Sequence, residues 1–467
     1  MKFISTRLSS PSLSFEQAIF EGLAPDGGLY VPDFLPQLDD AKLAKLSKLN
    51  YEELFFEITK YFVDGEISSQ EYRGIIKKSY ANFSHSAIAP LKQISSNHFL
   101  LELFHGPTLA FKDFALQFLG NLLEHFLAKN NQKIVIIGAT SGDTGSAAIE
   151  GCKHCKSAQI FIMHPHNKVS EIQRKQMTTV DSGNVFNIAV EGNFDDCQAM
   201  VKKMFSDQSF LGGKKMVAVN SINFARIMAQ IVYYFYVGLR LGADKNQVIF
   251  SVPTGNFGDI YAGFLAKKMG LKISKLIIAT NANDILTRFI NDNDYTKSSM
   301  IETISPSMNI QVSSNFERLL FDAHKQQNCE ERVASLMYEF EKNGALKVDS
   351  DVLKSIRKDF AAFACSDIET KKEILETYQK TGETLDPHTA IGIFAAKEYA
   401  KKSEYFGEQI VTLATAHPAK FADSVIDAGA PKPSLPNFLS DIESRQEKFS
   451  ILPKNFDQIK SFIAERA

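Results

Sequence analysis

The strongest constraint on how this chain can fold is a repeating pattern between Phe99 and Leu276, in which short apolar runs of strand length alternate with helical stretches. Lys133 to Ile137, Ile160 to Met163, Val185 to Val190, Gln247 to Val252 and Ser274 to Ala279 are the strand-like runs, and Gln409 to Leu413 adds one more. Strands that alternate with helices predict a parallel α/β sheet covered by helices. At 467 residues there is room for about three compact units, or one large two-lobed molecule with an appendage. Phe15 to Tyr80 carries apolar residues at three and four spacing over Ala41 to Leu49, Tyr51 to Phe62 and Ser69 to Tyr80, which predicts a mostly helical N-terminal module over residues 1–84. Asn291 to Asn315 is polar, and residues 325–385 are charged with helical periodicity and read as an insertion. A polar C-terminal tail ends in a helical pattern.

Charge and composition exclude several function classes. Lys and Arg total 52 against 54 Asp and Glu, a net charge of -2, which gives no electrostatic footprint for nucleic acid or an anionic membrane surface. The longest apolar run, Ile231 to Leu239, is far short of the roughly 20 residues that span a bilayer. Five cysteines are few and odd in number for this length, which predicts a reducing, cytoplasmic setting without a disulfide framework. Cys152 and Cys155 have metal-ligand spacing but no second pair, so no metal site is expected. The first fifteen residues are basic and Ser-rich, a composition that can mimic a transit peptide, but they run without a break into structured-looking sequence.

Four motifs carry chemistry. In Lys133 to Ala148 a buried strand enters a turn of small residues that opens a helix, so Ser141, Gly142, Asp143 and Thr144 sit where backbone N–H groups and the helix dipole attract an anion. It has neither the dinucleotide nor the Walker A glycine spacing. Val248 to Tyr261 repeats the arrangement, with Gly255, Asn256, Phe257 and Gly258 forming the turn. Two cradles imply two anionic groups. Their spacing is compatible with a phosphorylated cofactor and a substrate carboxylate, or with two phosphates of one ligand. In His105 to Phe114, Lys112 is bracketed by Leu109, Ala110, Phe111 and Phe114, an apolar setting that favours the neutral, carbonyl-attacking amine and suits a Schiff-base lysine. In Ile410 to Phe421, Thr415, His417 and Lys420 follow a strand's carboxyl end, where functional groups gather in parallel sheets.

Taken together and in order, Gly106 to Asp113, Gly138 to Gly145, Pro253 to Gly258 and Thr415 to Phe421 closely resemble the threonine synthase family, as does Gly22 to Pro32 near the start. The resemblance runs from the first residues to about Phe421. It implies a two-lobed, three-layer parallel-sheet fold of the tryptophan-synthase-β type, with a catalytic domain over residues 85–467 whose smaller lobe covers about 115–215. It implies pyridoxal 5'-phosphate as cofactor, held on Lys112 as an internal aldimine. It also implies that Gly255, Asn256, Phe257 and Gly258 bind the cofactor phosphate and that Thr415 meets the ring nitrogen. Ser141, Gly142, Asp143 and Thr144 would then take the substrate's α-carboxylate.

The family reaction turns O-phospho-L-homoserine and water into L-threonine and phosphate, so Lys112, once released from the cofactor, is the expected proton shuttle. The substrate phosphate needs cations, for which Arg174, Lys175, Arg226, Arg318, His388 and Lys420 are candidates, with Arg226 and Lys420 preferred. Keeping water out during elimination calls for two lobes that close. A threonine-synthase-like phospho-lyase or an amino-acid dehydratase would share the lysine and the phosphate loop. A nicotinamide-dependent oxidoreductase would have no use for Lys112, and a catalytically silent relative would only bind ligand.

Overall fold

Each predicted strand forms, and strands that local sequence does not announce complete the sheets. A computed structural model describes residues 1–402 and 404–467 and divides into two compact units. The first comprises residues 1–73, 84–105 and 221–433, and the second residues 74–83, 106–220 and 434–467.

The first unit is built on a six-stranded sheet in the order Phe360–Ala364, Ile273–Thr280, Val248–Pro253, Gln409–Ala414, His98–Glu102 and Leu91–Gln93. All neighbours are parallel except the last pair. Side chains alternate across the sheet, so two helical layers cover it. Ile249, Ile277 and Ala279 pack with Ile391 and Ala395 of the Pro387–Ala400 helix. Phe250 lies edge-on to Tyr234 of the Phe224–Arg240 helix, on the opposite face. That helix is buried along almost its whole length and carries Arg226 and Gln230 into the interior among its apolar residues. The Tyr51–Thr59 helix packs on it, with Tyr51 edge-on to Tyr236. A capping box of Asn50 and Glu53 starts the Tyr51–Thr59 helix where the sequence places it.

The Phe360–Ala364 edge strand falls inside the stretch predicted as a helical insertion. Its sequence, Phe-Ala-Ala-Phe-Ala, is short and alanine-rich, and nothing local distinguishes it from helix. Pairing with Ile273–Thr280 decides it, a tertiary effect that outweighs propensity.

The second unit is a five-stranded, all-parallel sheet in the order Ser450–Pro453, Val185–Glu191, Ala158–Pro165, Ile134–Ala139 and Lys215–Val217. One face buries Val135, Ile137, Phe161 and Met163 against the Phe194–Ser206 and Phe456–Ala464 helices. Two further helices, Lys112–Asn130 and Asp143–Cys152, pack against each other so closely that their backbones touch at glycines. A Cβ on Gly120 would lie 2.0 Å from the Gly151 carbonyl oxygen, and one on Gly151 would lie 2.3 Å from that of Leu116. This crossing brings the start of one helix beside the start of the other.

Candidate active site

In the second unit, Lys112 is the first residue of its helix and is 8% exposed. Its Nζ lies 3.0 Å from Oδ2 of Asp143, the first residue of the neighbouring helix. Sequence reasoning gave this lysine a purely apolar setting. The structure adds a carboxylate, which supplies a counter-ion to the ammonium and an acceptor for its proton. Asp143 is fixed in turn, since Oδ1 accepts from Gln173 Nε2 at 2.7 Å, and Ser170 Oγ donates to Gln173 Oε1 at 2.9 Å. The loop before Lys112 is clasped by Asp113, whose carboxylate accepts from Thr108 N at 2.8 Å and Thr108 Oγ1 at 2.7 Å.

The predicted strand, turn and helix around Ser141 to Thr144 form. Gly142 has φ +143, open only to glycine, and a Cβ there would meet Gln173 at 2.5 Å. Thr140 Oγ1 accepts from the amides of both Gly142 and Gly145 at 2.9 Å. No protein acceptor takes the amides of Ser141 and Thr144 among the described residues. Thr140 and Gln173 are the organising residues that sequence reasoning passed over.

In the first unit, the Gly255–Gly258 turn follows the central strand Val248–Pro253 and opens the Gly258–Lys268 helix. Its carbonyls are tied back, the Gly255 oxygen by Ser313 Oγ at 2.7 Å and the Asn256 oxygen by Asn315 Nδ2 at 2.9 Å. Phe257 adopts φ +64, a left-handed conformation held by burial of its ring between Phe316 and Phe360. Among the described residues no protein acceptor takes the amides of Gly255, Asn256, Phe257 or Gly258. Four backbone donors at a helix start, with the carbonyls held back, suit a phosphate group. Thr415, 5% exposed, follows the adjacent strand Gln409–Ala414 and offers a neutral hydroxyl, compatible with a pyridine nitrogen.

Arg174, Lys175, Arg318 and His388 each make hydrogen bonds within the protein. Arg174 makes a bidentate pair with Glu447 at 2.8 and 2.9 Å, and Lys175 donates to the Glu443 carbonyl. The fully buried Arg318 donates to the carbonyls of Tyr30 and Ile222 at 2.8 and 2.7 Å and to Asn315 Oδ1, so it braces the fold. His388 places Nδ1 2.8 Å from Asp386 Oδ1, and Nε2 accepts from the Ser307 amide at 3.3 Å. The preferred pair, Arg226 and Lys420, are buried at 4% and 2% exposure. Burial pulls the Arg226 guanidinium down to about 10, still charged near neutrality.

A lysine buried at a helix start in one unit and a glycine-rich turn that opens a helix in the other, each on a parallel α/β sheet, fit the class of pyridoxal-phosphate-dependent enzymes. Residues 87–416 match the family described as pyridoxal-phosphate dependent enzyme, residues 2–80 match threonine synthase N terminus, and residues 389–463 match threonine synthase, C-terminal. A threonine synthase of Pseudomonas aeruginosa is 53% identical over 100% of this chain and 98% of its own. The crystal structure of a pyridoxal-phosphate-bound threonine synthase from Brucella melitensis is 44% identical, covers 100% of this chain and 99% of its own, and superposes with a TM-score of 0.96. That from Escherichia coli is 30% identical with a TM-score of 0.83, covering 100% of both chains. The chain belongs to the threonine synthase family, pyridoxal-phosphate-dependent lyases of threonine biosynthesis.

Proposed function

We propose that the chain converts O-phospho-L-homoserine and water into L-threonine and phosphate, in the cytoplasm, with Lys112 as the residue that carries the cofactor and moves the protons. The observation that carries this reading is the buried Lys112–Asp143 pair at the start of two abutting helices. Bound pyridoxal 5'-phosphate supplies an electron sink for negative charge developing on substrate carbon. Lys112 would hold it covalently, the Gly255–Gly258 amides would bind its phosphate, and Thr415 would donate to or accept from its ring nitrogen without adding charge.

What remains for the protein is binding and proton traffic. The Ser141–Thr144 turn would bind the substrate α-carboxylate through backbone N–H groups and the helix dipole, while Thr140 keeps the turn in shape. Lys112 Nζ would take a proton from substrate carbon and return it elsewhere, and Asp143 would stabilise the ammonium formed on the way. Gln173 fixes the Asp143 carboxylate and so aims the lysine. Arg226 and Lys420, buried and cationic, would attract the substrate phosphate.

The test is a product assay on purified holoenzyme, which should release threonine and inorganic phosphate from O-phospho-L-homoserine. Lys112→Ala should lower the rate by about 10³-fold or more. Formation of 2-oxobutyrate and ammonia as main products, or full activity in Lys112→Ala, would overturn the reading.

A further inference from the structure

Arg318, in the first unit, is fully buried, and each of its hydrogen bonds ends on a neutral oxygen: the carbonyls of Tyr30 and Ile222 and the side-chain oxygen of Asn315. Among the described residues no carboxylate pairs with it. The neighbouring Glu317 is taken by Thr6 Oγ1 at 2.6 Å and Arg7 Nε at 3.1 Å, and Asp322 by Tyr261 at 2.7 Å and by Lys268. Burial pulls the Arg318 guanidinium down to about 10, so it is still charged near neutrality. A buried cation is costly unless an anion close by offsets it.

The same guanidinium reaches the Gly255–Gly258 turn through one side chain. An arginine only donates, so its bond from Nη1 obliges Asn315 to present Oδ1 to it. Nδ2 is left to face the turn, where it donates to the Asn256 carbonyl at 2.9 Å, and the Asn315 amide donates to that oxygen at 3.1 Å. The Asn256 carbonyl and the Phe257 N–H are opposite ends of one planar trans peptide, so gripping the oxygen aims the N–H the other way. Ser313 Oγ, donating to the Gly255 carbonyl at 2.7 Å, aims the Asn256 N–H in the same manner. Hydrogen bonds in series polarise one another. A cation on Oδ1 strengthens Nδ2 as a donor, and that donor strengthens the N–H at the far end of the peptide. The series is anchored in the N-terminal module, because Tyr30 opens the Tyr30–Pro32 strand.

We infer that Arg318 is a positioning residue for the cofactor phosphate and its buried counter-charge, acting through Asn315 and the Asn256–Phe257 peptide without touching the ligand. The inference rests on the reading of the Gly255–Gly258 turn as the phosphate site. It moves Arg318 from the candidates for the substrate phosphate to a part in holding the cofactor. A brace that merely keeps the turn in shape serves pyridoxal and pyridoxal 5'-phosphate alike. A counter-charge acts on the phosphate alone, because only that group brings the negative charge it attracts.

Full-length apoenzyme, titrated with pyridoxal 5'-phosphate and separately with pyridoxal, gives the preference for the phosphate as a ratio of dissociation constants read from the absorbance of the bound cofactor. Arg318→Met keeps the length of the side chain and removes its charge. The ratio should fall about tenfold or more, while the constant for pyridoxal changes by less than about threefold. Arg318→Lys, which keeps the charge without the fork, should retain more of the preference than Arg318→Met. An unchanged ratio in Arg318→Met, equal weakening of both ligands, or an Arg318→Lys no better than Arg318→Met overturns the proposal. Should Arg318→Met fail to fold, Asn315→Ala decides, since it leaves the charge in place and cuts the path. Its ratio should also fall about tenfold, and an unchanged ratio refutes the path. If neither variant folds, the two residues are structural and the proposal fails. A wild-type apoenzyme that binds both ligands equally would sink the phosphate reading of the turn and the counter-charge with it. A wild-type preference that survives Arg318→Met removes the counter-charge alone.

Discussion

Lys112 and Asp143 face each other in a setting where each side chain is at most 10% exposed, so their charges are weakly screened. Asp143→Asn keeps the shape and removes the counter-ion. Its kcat/KM should fall about 100-fold while cofactor content, read by absorbance, persists; a wild-type rate would remove Asp143 from the mechanism. Other residues set the response to acid. Burial pushes the Asp259 carboxyl from 3.8 up to about 6 against the opposing hydrogen bonds of Tyr233 and Tyr234, and burial pulls His98 and His417 from 6.5 down to about 4. Asp259 thus stabilises the fold fully below its unfolded value, and that contribution is lost as pH rises through about 6. The histidines stabilise it fully above 6.5, and theirs is lost as pH falls through about 4. Each shift corresponds to about 3 kcal/mol, so two histidines outweigh one aspartate and the melting temperature should drop between pH 7 and 4. His98→Gln should flatten that drop and Asp259→Asn should steepen it. At this scale the sequence revealed Lys112, because its apolar bracket is local, and hid its partners. Asp143 lies 31 positions from Lys112, and Glu447, which pairs with Arg174, lies 273 positions from that arginine.

The element that sets the site is the pair of helices Lys112–Asn130 and Asp143–Cys152. Gly151→Ala would place a methyl 2.3 Å from the Leu116 carbonyl oxygen, a backbone atom that cannot swing aside. The helices must separate, which should cost about 1 to 3 kcal/mol and lengthen the lysine–aspartate contact. Urea denaturation and kcat measured together check this, and a stable, fully active Gly151→Ala would show that the spacing has slack. Strands were legible wherever a long apolar run lay between turn residues, as in Ile134–Ala139 and Val248–Pro253. Lys215–Val217 and Ser450–Pro453, of three and four residues, are too short to show a period and exist because a neighbour offers them a ladder.

Across the whole chain, each unit is assembled from separated stretches of sequence, which no local pattern discloses. The C-terminal residues read as a polar tail, yet Ile459 and Ile463 are fully buried with Met163, Val190 and Cys197. Removing residues 449–467 deletes both isoleucines and the edge strand beside Val185–Glu191. The loss should be about 5 kcal/mol or more, seen as a lower urea midpoint and increased binding of a hydrophobic dye. A truncated protein as stable as the full chain would contradict the packing.

The strand Ser450–Pro453 also fixes an order of events during synthesis. Its partner strand is made some 260 residues earlier, and the whole of the intervening first-unit sequence from residue 221 to 433 must be translated before the sheet can gain its last member. Until then Val185–Glu191 carries an open parallel edge, the kind of surface that pairs with another nascent chain. The newborn polypeptide is therefore most in need of a chaperone during the stretch of translation when its other unit is being written.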